Sequence, residues 1–249
     1  MKLAKSLVLY KFFLNLFGDK DLVENLKSKN EGYDTIGRSY FVDALISEVP
    51  NGEQKLLEYD QKIKRYTEHI GKGREYFSLK YFQYLAILFT EIFLERYFND
   101  KNSFIAELNN FLENFNAKNR TTIFPFTEEN LKKLAFWLAT GSGKTLIMHI
   151  NYLQMMSYCD KWDNILLITP SEEMSIQHHR EMIKSGIPCK LYDGNIDSLK
   201  TKNKEVLIID IYKLTEEKKG EGKTIETSYF DGKNLVFIDE GHKGQSTEE

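Results

Sequence analysis

Cysteine and proline are scarce in this sequence, and neither sign of charge dominates it. The 249 residues include two cysteines, Cys159 and Cys189, and four prolines. Two cysteines cannot form a disulfide framework or a four-cysteine zinc site, and no C-x-x-C pair is present. The usual metal signatures are thereby excluded, and a reducing, cytoplasmic setting is expected. Lysine and arginine total 34 against 37 acidic residues, a net charge of -3. This excludes a basic arm held to nucleic acid mainly by charge, so any such contact must be local. The longest apolar runs, Tyr84 to Phe89 and Leu134 to Ala139, are six residues each, far short of the ~18 that span a membrane. No membrane partner is expected. Internal repeats and low-complexity segments are also lacking. The N-terminal stretch resembles a secretory signal only superficially: Lys11 interrupts it, and Leu3, Leu7, Tyr10, Leu14 and Phe17 recur at the spacing of an amphipathic helix.

What is present changes character along the chain. Leu56, Leu57, Tyr59, Ile63, Tyr66 and Ile70 form a helical stripe that ends at Gly71-Lys72-Gly73. A second periodic run covers Leu79 to Phe98, and a third helix is expected from Ser103 to about Asn116, with Phe104, Leu108, Phe111 and Leu112 on one face. After Pro125 short apolar runs alternate with helical segments: LAFWLA (134–139) before a helix opening at Lys144, ILLIT (165–169) before a helix from Glu172 to Lys184, then CKLY (189–192), VLIIDI (206–211) and LVFI (235–238). Apolar strands separated by helices are what a parallel sheet covered on both faces requires. The expectation is therefore a mostly helical N-terminal region, 1–74, followed by an α/β region, 75–249. The charged segment 215–226 reads as an exposed loop.

Two motifs in the second region carry chemistry. Residues 139–145 read ATGSGKT between an expected strand and an expected helix. Glycines there let backbone N–H groups approach phosphates, and the helix N-terminus favours negative charge. Gly141, Ser142 and Gly143 would line the phosphates, Lys144 would reach the β- and γ-phosphates, and Thr145 would hold magnesium. Leu138 stands where the strict motif has its first glycine. The second motif is NLVFIDEGH, 234–242, in which a buried strand delivers Asp239 and Glu240 to its C-terminal end. Ligands of open parallel sheets bind at that end. Asp239 suits a hydrated magnesium, and Glu240 suits orienting or deprotonating an attacking water.

ATGSGKT followed by DEGH resembles motifs I and II of superfamily 2 helicases of the DExH type, and specifically the motor subunits of type III and type I restriction enzymes. Between them ITPSEEMSIQ (168–177) is similar to motif Ia, and IIDIYKL (208–214) to the Ib region, where many relatives carry threonine in place of Asp210. The resemblance covers about residues 79–244. It implies a P-loop NTPase (RecA-like) parallel sheet, incomplete in this chain, with a helical insertion near 99–126. It also implies ATP and Mg2+ as cofactors and contact of Thr169, Pro170 and Ser171 with a nucleic-acid backbone. Double-stranded DNA is the implied substrate, a modification or nuclease subunit the implied partner, and nucleic-acid-dependent ATP hydrolysis in a restriction or defence system the implied activity. Gln83, 61 residues before Lys144, is similar to the glutamine that reads the adenine edge in such motors. The chain ends nine residues past Glu240, so motif III and a second RecA-like domain with its arginine finger would belong to a longer protein. The rival reading is a nucleotide-binding regulatory or assembly module without turnover.

Three other features are read as structural. Asp34, Asp43 and Glu53-Gln54-Lys55 imitate a restriction-nuclease pattern, but the last group opens a helical stripe, which suits a solvated first turn. His178 and His179 diverge by ~100° around a helix and so cannot readily share a metal; a solvated helix face is expected for both. Trp137 is expected in the core of the first strand.

Overall fold

The computed structural model describes residues 7–18, 21–49, 52–195, 199, 204–215 and 224–241. The chain divides into two compact units, 1–67 with 77–147 and 68–76 with 148–249.

The first unit is helical: α1 (Val8–Asn15), α2 (Leu22–Lys27), α3 (Tyr40–Ile46), most of α4 (Glu53–Gly71), α5 (Tyr81–Asn99), α6 (Lys101–Asn119) and α7 (Glu128–Leu131), with the opening turn of α8 (Lys144–Tyr158). The apolar residues of α5 surround the helix instead of lining one stripe, and it is accordingly buried along Gln83–Leu94. Phe89 stacks on Phe13 with ring centroids 5.2 Å apart, and Phe104 meets Phe93 edge-on at 5.4 Å, which ties α1 and α6 to α5. Polar groups also lie inside this core, among them the carboxyl groups of Asp60 and Glu91. Asp60 is fully buried and accepts hydrogen bonds from the Ser39 N–H (3.0 Å) and the Tyr84 hydroxyl (2.7 Å). Burial nevertheless raises its carboxyl above the usual range. The nuclease-like residues disperse. Asp34 caps its own loop by accepting from the Ile36 and Arg38 amides, and Lys55 pairs with Glu58 and Glu95.

The second unit is built on a parallel sheet of order β2-β3-β1-β6, from β1 (Asn164–Thr169), β2 (Cys189–Leu191), β3 (Val206–Asp210) and β6 (Asn234–Ile238). On one face Ile165, Leu167, Val206 and Ile208 pack with Tyr152 of α8, Met182 of α9 (Glu172–Lys184) and Ile187. On the other face Leu166, Leu207 and Ile209 pack with Tyr192, Ile225 and Phe230. Alternation along β1 and β3 thus feeds two cores, as strands covered on both faces require. The ends of the expected 215–226 loop pair as two-residue strands, β4 (Leu214–Thr215) and β5 (Ile225–Glu226); residues 216–223 lie outside the described residues.

Three expectations are corrected. LAFWLA forms no strand: 134–139 is without regular structure, and no described strand pairs with it. An apolar run becomes a strand only where a neighbour supplies the hydrogen-bonding ladder, and all the ladders of the described sheet are made by other segments. Trp137, expected in the core, is consequently 63% exposed. His178, expected in solvent, is buried, because α9 presents Ser175, His178 and Met182 to the unit's interior at helical spacing. Helices α2 and α3 had no counterpart in the sequence pattern.

His149, on α8, is fully buried and its Nδ1 lies 2.7 Å from Ser185 Oγ. Burial first, then the charges of Arg74 and His178, lower its pKa to about 3. The unfolded imidazole titrates near 6.5, so the folded state excludes a proton that the unfolded state accepts between those values. Stability from this group is complete above pH 6.5 and declines as pH falls towards 3. Urea unfolding at pH 7.5 and pH 5 should show His149 contributing a loss of about 2 kcal/mol at the lower pH. His149→Gln should remove that part of the pH dependence; an unchanged slope would contradict the neutral buried imidazole.

Candidate nucleotide-binding site

In the first unit the loop 139–143 folds on itself before α8 begins. The Ala139 carbonyl accepts from both the amide (3.2 Å) and the hydroxyl (2.6 Å) of Ser142. Gly141 and Gly143 adopt φ of +76° and +83°, left-handed values that a side chain would strain. The Gly143 carbonyl then accepts from the Leu146 and Ile147 amides and starts the helix. Amides of a first helical turn have no carbonyl within the helix to bond, so Lys144 and Thr145 bring backbone donors as well as side chains to this end. Lys144 Nζ lies 3.5 Å from the Leu138 carbonyl, folded back along the loop.

Gln83 belongs to this assembly. It sits in the first turn of α5, almost buried, where its Oε1 accepts from the Lys80 amide (2.9 Å) and its Nε2 donates to the Ser142 carbonyl (2.9 Å). One side-chain amide thus caps a helix and fixes the crest of the loop. It uses one of its two N–H donors and one lone pair in doing so. The absence of a side chain at Gly143 makes room for it, since a Cβ there would lie 2.4 Å from Gln83 Nε2.

In the second unit β6 delivers the acidic pair. Its ladder with β1 pairs Ile168 with Ile238 and continues one step further, the Asp239 amide donating to the Ile168 carbonyl at 3.0 Å. The Asp239 side chain is 11% exposed, and its Oδ2 lies 2.9 Å from His178 Nε2. Glu240 turns sharply out of the strand with φ of +51°, unusual for a residue with a side chain. His242, the last letter of DEGH, lies outside the described residues. At the end of β1, Thr169 is buried, its hydroxyl within 2.6 Å of Ser175 Oγ and 3.1 Å of the Ser171 carbonyl. Ser171 caps α9 by accepting from the Met174 amide, and Pro170 and Ser171 are half-buried. Asp210, in the Ib-like segment, accepts from the Tyr212 amide and pairs with Lys213.

Residues 100–249 match the family described as Type III restriction enzyme, res subunit. The chain belongs to that family. The res-subunit family is helicase-like, of superfamily 2, so the parallel sheet of the second unit belongs to an incomplete RecA-like fold with a helical region before it. Its members are helicase-like ATPases of restriction systems. No curated protein and no solved structure matches the chain.

Taken separately, the Thr145 hydroxyl of the first unit and the Asp239 carboxylate of the second are each a hard oxygen donor of the kind magnesium takes. Among the described residues no group of three or more His, Cys, Asp and Glu could hold a metal on its own. No helix of the described residues is long and apolar enough to cross a membrane.

Sequence reasoning missed His178, although the stripe was legible: counted from Ser175, positions 178 and 182 share its face. The contact between Gln83 and the loop yields a test. In Gly143→Ala the new Cβ must push the Gln83 amide away, breaking hydrogen bonds worth about 1 kcal/mol each, on top of about 1–3 kcal/mol for the left-handed backbone. In a Gln83→Ala background only the backbone term remains. Denaturant unfolding of the four proteins should therefore show the two substitutions costing less together than their sum, by about 1 kcal/mol; strict additivity would contradict the contact.

Proposed function

We propose that the chain is the ATP-binding part of a nucleic-acid-dependent ATPase, a DExH motor of a restriction or defence system that moves on double-stranded DNA with a modification or nuclease subunit as partner. The observation that carries the reading is the ATGSGKT loop, with left-handed Gly141 and Gly143 set against the N-terminus of the long helix α8. The choice of DNA over RNA, and the partner, rest on family membership.

In this reading the amides of Gly141 to Thr145 cradle the phosphates and Lys144 neutralises their charge. Thr145 and Asp239 hold the magnesium, which when bound offsets the charge that develops on the transferred phosphoryl group. Glu240 orients the attacking water and accepts its proton; its strained backbone supports a functional role for the side chain. Gln83 keeps one N–H and one lone pair for an adenine edge while holding the loop. Pro170 and Ser171 contact the nucleic-acid backbone, and Thr169 acts through its peptide, because its hydroxyl is engaged within the unit.

An arginine from a second RecA-like domain completes such a site and contributes roughly 10³–10⁵ in rate, so the 249-residue chain alone is expected to bind ATP and hydrolyse it negligibly. In the complete motor, steady-state hydrolysis should rise on addition of duplex DNA. Glu240→Gln should lower it by about 10²-fold or more and leave ATP binding in place. DNA-independent turnover that survives Glu240→Gln would overturn the reading in favour of another base or no motor at all.

A further inference from the structure

His178 is 2% exposed, on the interior stripe of α9, between Ser175 and Met182. Its two ring nitrogens have different fates. Nε2 lies 2.9 Å from Asp239 Oδ2, while Nδ1 is buried with no hydrogen-bond partner among the described residues. A carboxylate only accepts, so the imidazole proton that faces it is on Nε2. An apolar side chain would fill this stripe without stranding a nitrogen, and packing therefore does not account for a histidine here. The contact with Asp239 does. Asp239 stands at the end of β6, where its amide is the last rung of the ladder to β1. The ladder fixes the backbone at that point and leaves the side-chain torsions open. One N–H from a ring that is itself packed immobile restrains them, and it occupies one of about four lone-pair sites of the carboxylate. This is the arrangement by which an outer partner orients a metal-binding carboxylate without competing for the metal.

We propose that His178 is a positioning residue for the magnesium site: it holds the Asp239 carboxylate in the orientation that receives the hydrated ion. The inference rests on the assignment of Asp239 in the proposed function, and the test separates the two. Binding of a non-hydrolysable ATP analogue to the 249-residue chain is measured by calorimetry in excess Mg2+ and in EDTA, and the ratio of the two affinities gives the magnesium-dependent increment. Circular dichroism of each variant reports folding. Asp239→Asn should abolish the increment. His178→Leu should reduce it by about tenfold, the low end of what losing an outer partner costs, with affinity in EDTA unchanged. His178→Gln, whose amide nitrogen reaches the place of Nε2, should restore it to within about twofold of wild type. His178→Asn, which reaches only the place of Nδ1, should not.

If His178→Leu fails to fold, the comparison of Gln with Asn decides. Equal increments in those two variants, or a full increment in His178→Leu beside a lost one in Asp239→Asn, would overturn the positioning role and leave the site assignment standing. A full increment in Asp239→Asn would overturn the assignment itself, and the positioning role with it.

Discussion

β1 is hydrogen-bonded on both edges, to β3 and to β6, and the arrangement of the second unit depends on that double pairing. The register sets Thr169 beside Asp210 and Ile168 beside Ile238, so three strands end together. Because the strands are parallel, those ends carry the segments that resemble motifs Ia, Ib and II, and the chain must cross over between them. Helix α9 makes one such crossover and covers one face with Met182 while bringing His178 to Asp239. A slip of one residue between β1 and β6 would exchange the faces of Leu235 and Phe237 with those of Val236 and Ile238 and would withdraw Asp239 from its last rung. Core packing and the position of the acidic pair are therefore specified by the same ladder.

The first unit solves a different problem. A tight loop exposes carbonyls as well as amides, and if its amides are to face phosphates, as proposed for 139–145, its carbonyls must be satisfied elsewhere. Ala139 does this locally, through Ser142. Ser142 does it at long range, through Gln83, whose position is secured by α5, the most deeply buried helix of the unit. The aromatic packing of Phe13, Phe89, Phe93 and Phe104 thereby bears on the shape of a loop that none of those rings approaches in sequence.

Much of this was legible in the residues. The strands ILLIT and VLIID and the helix Glu172–Lys184 are read directly from period and caps, because each is a continuous apolar run or a stripe that begins at a Ser171 cap. The loop and the acidic pair stand out in the sequence as motifs because each is written in consecutive residues, and the structure adds their backbone geometry. What was not legible depends on partners. LAFWLA has the composition of a strand but no described neighbour to ladder with, and Trp137 is exposed as a result. His178 looks like a surface residue when read with His179 and becomes interior only when α9 is set on the sheet. Gln83 was read for its adenine edge, whereas its hydrogen bond to Ser142 required the fold. Helices α2 and α3 are too short to carry a clear period.

The central claim is that ATGSGKT is a working phosphate loop, and Lys144 is the side chain on which that claim turns. Its replacement by alanine removes a cation from beside the phosphates while leaving the left-handed glycines, the Gln83 contact and α8 in place. Calorimetric titration of ATP into wild-type protein and into Lys144→Ala, with melting curves to establish that both are folded, measures this directly. Binding by wild type that is lost or severely weakened in the variant, at unchanged stability, is the expected result; equal binding by the two would contradict the account.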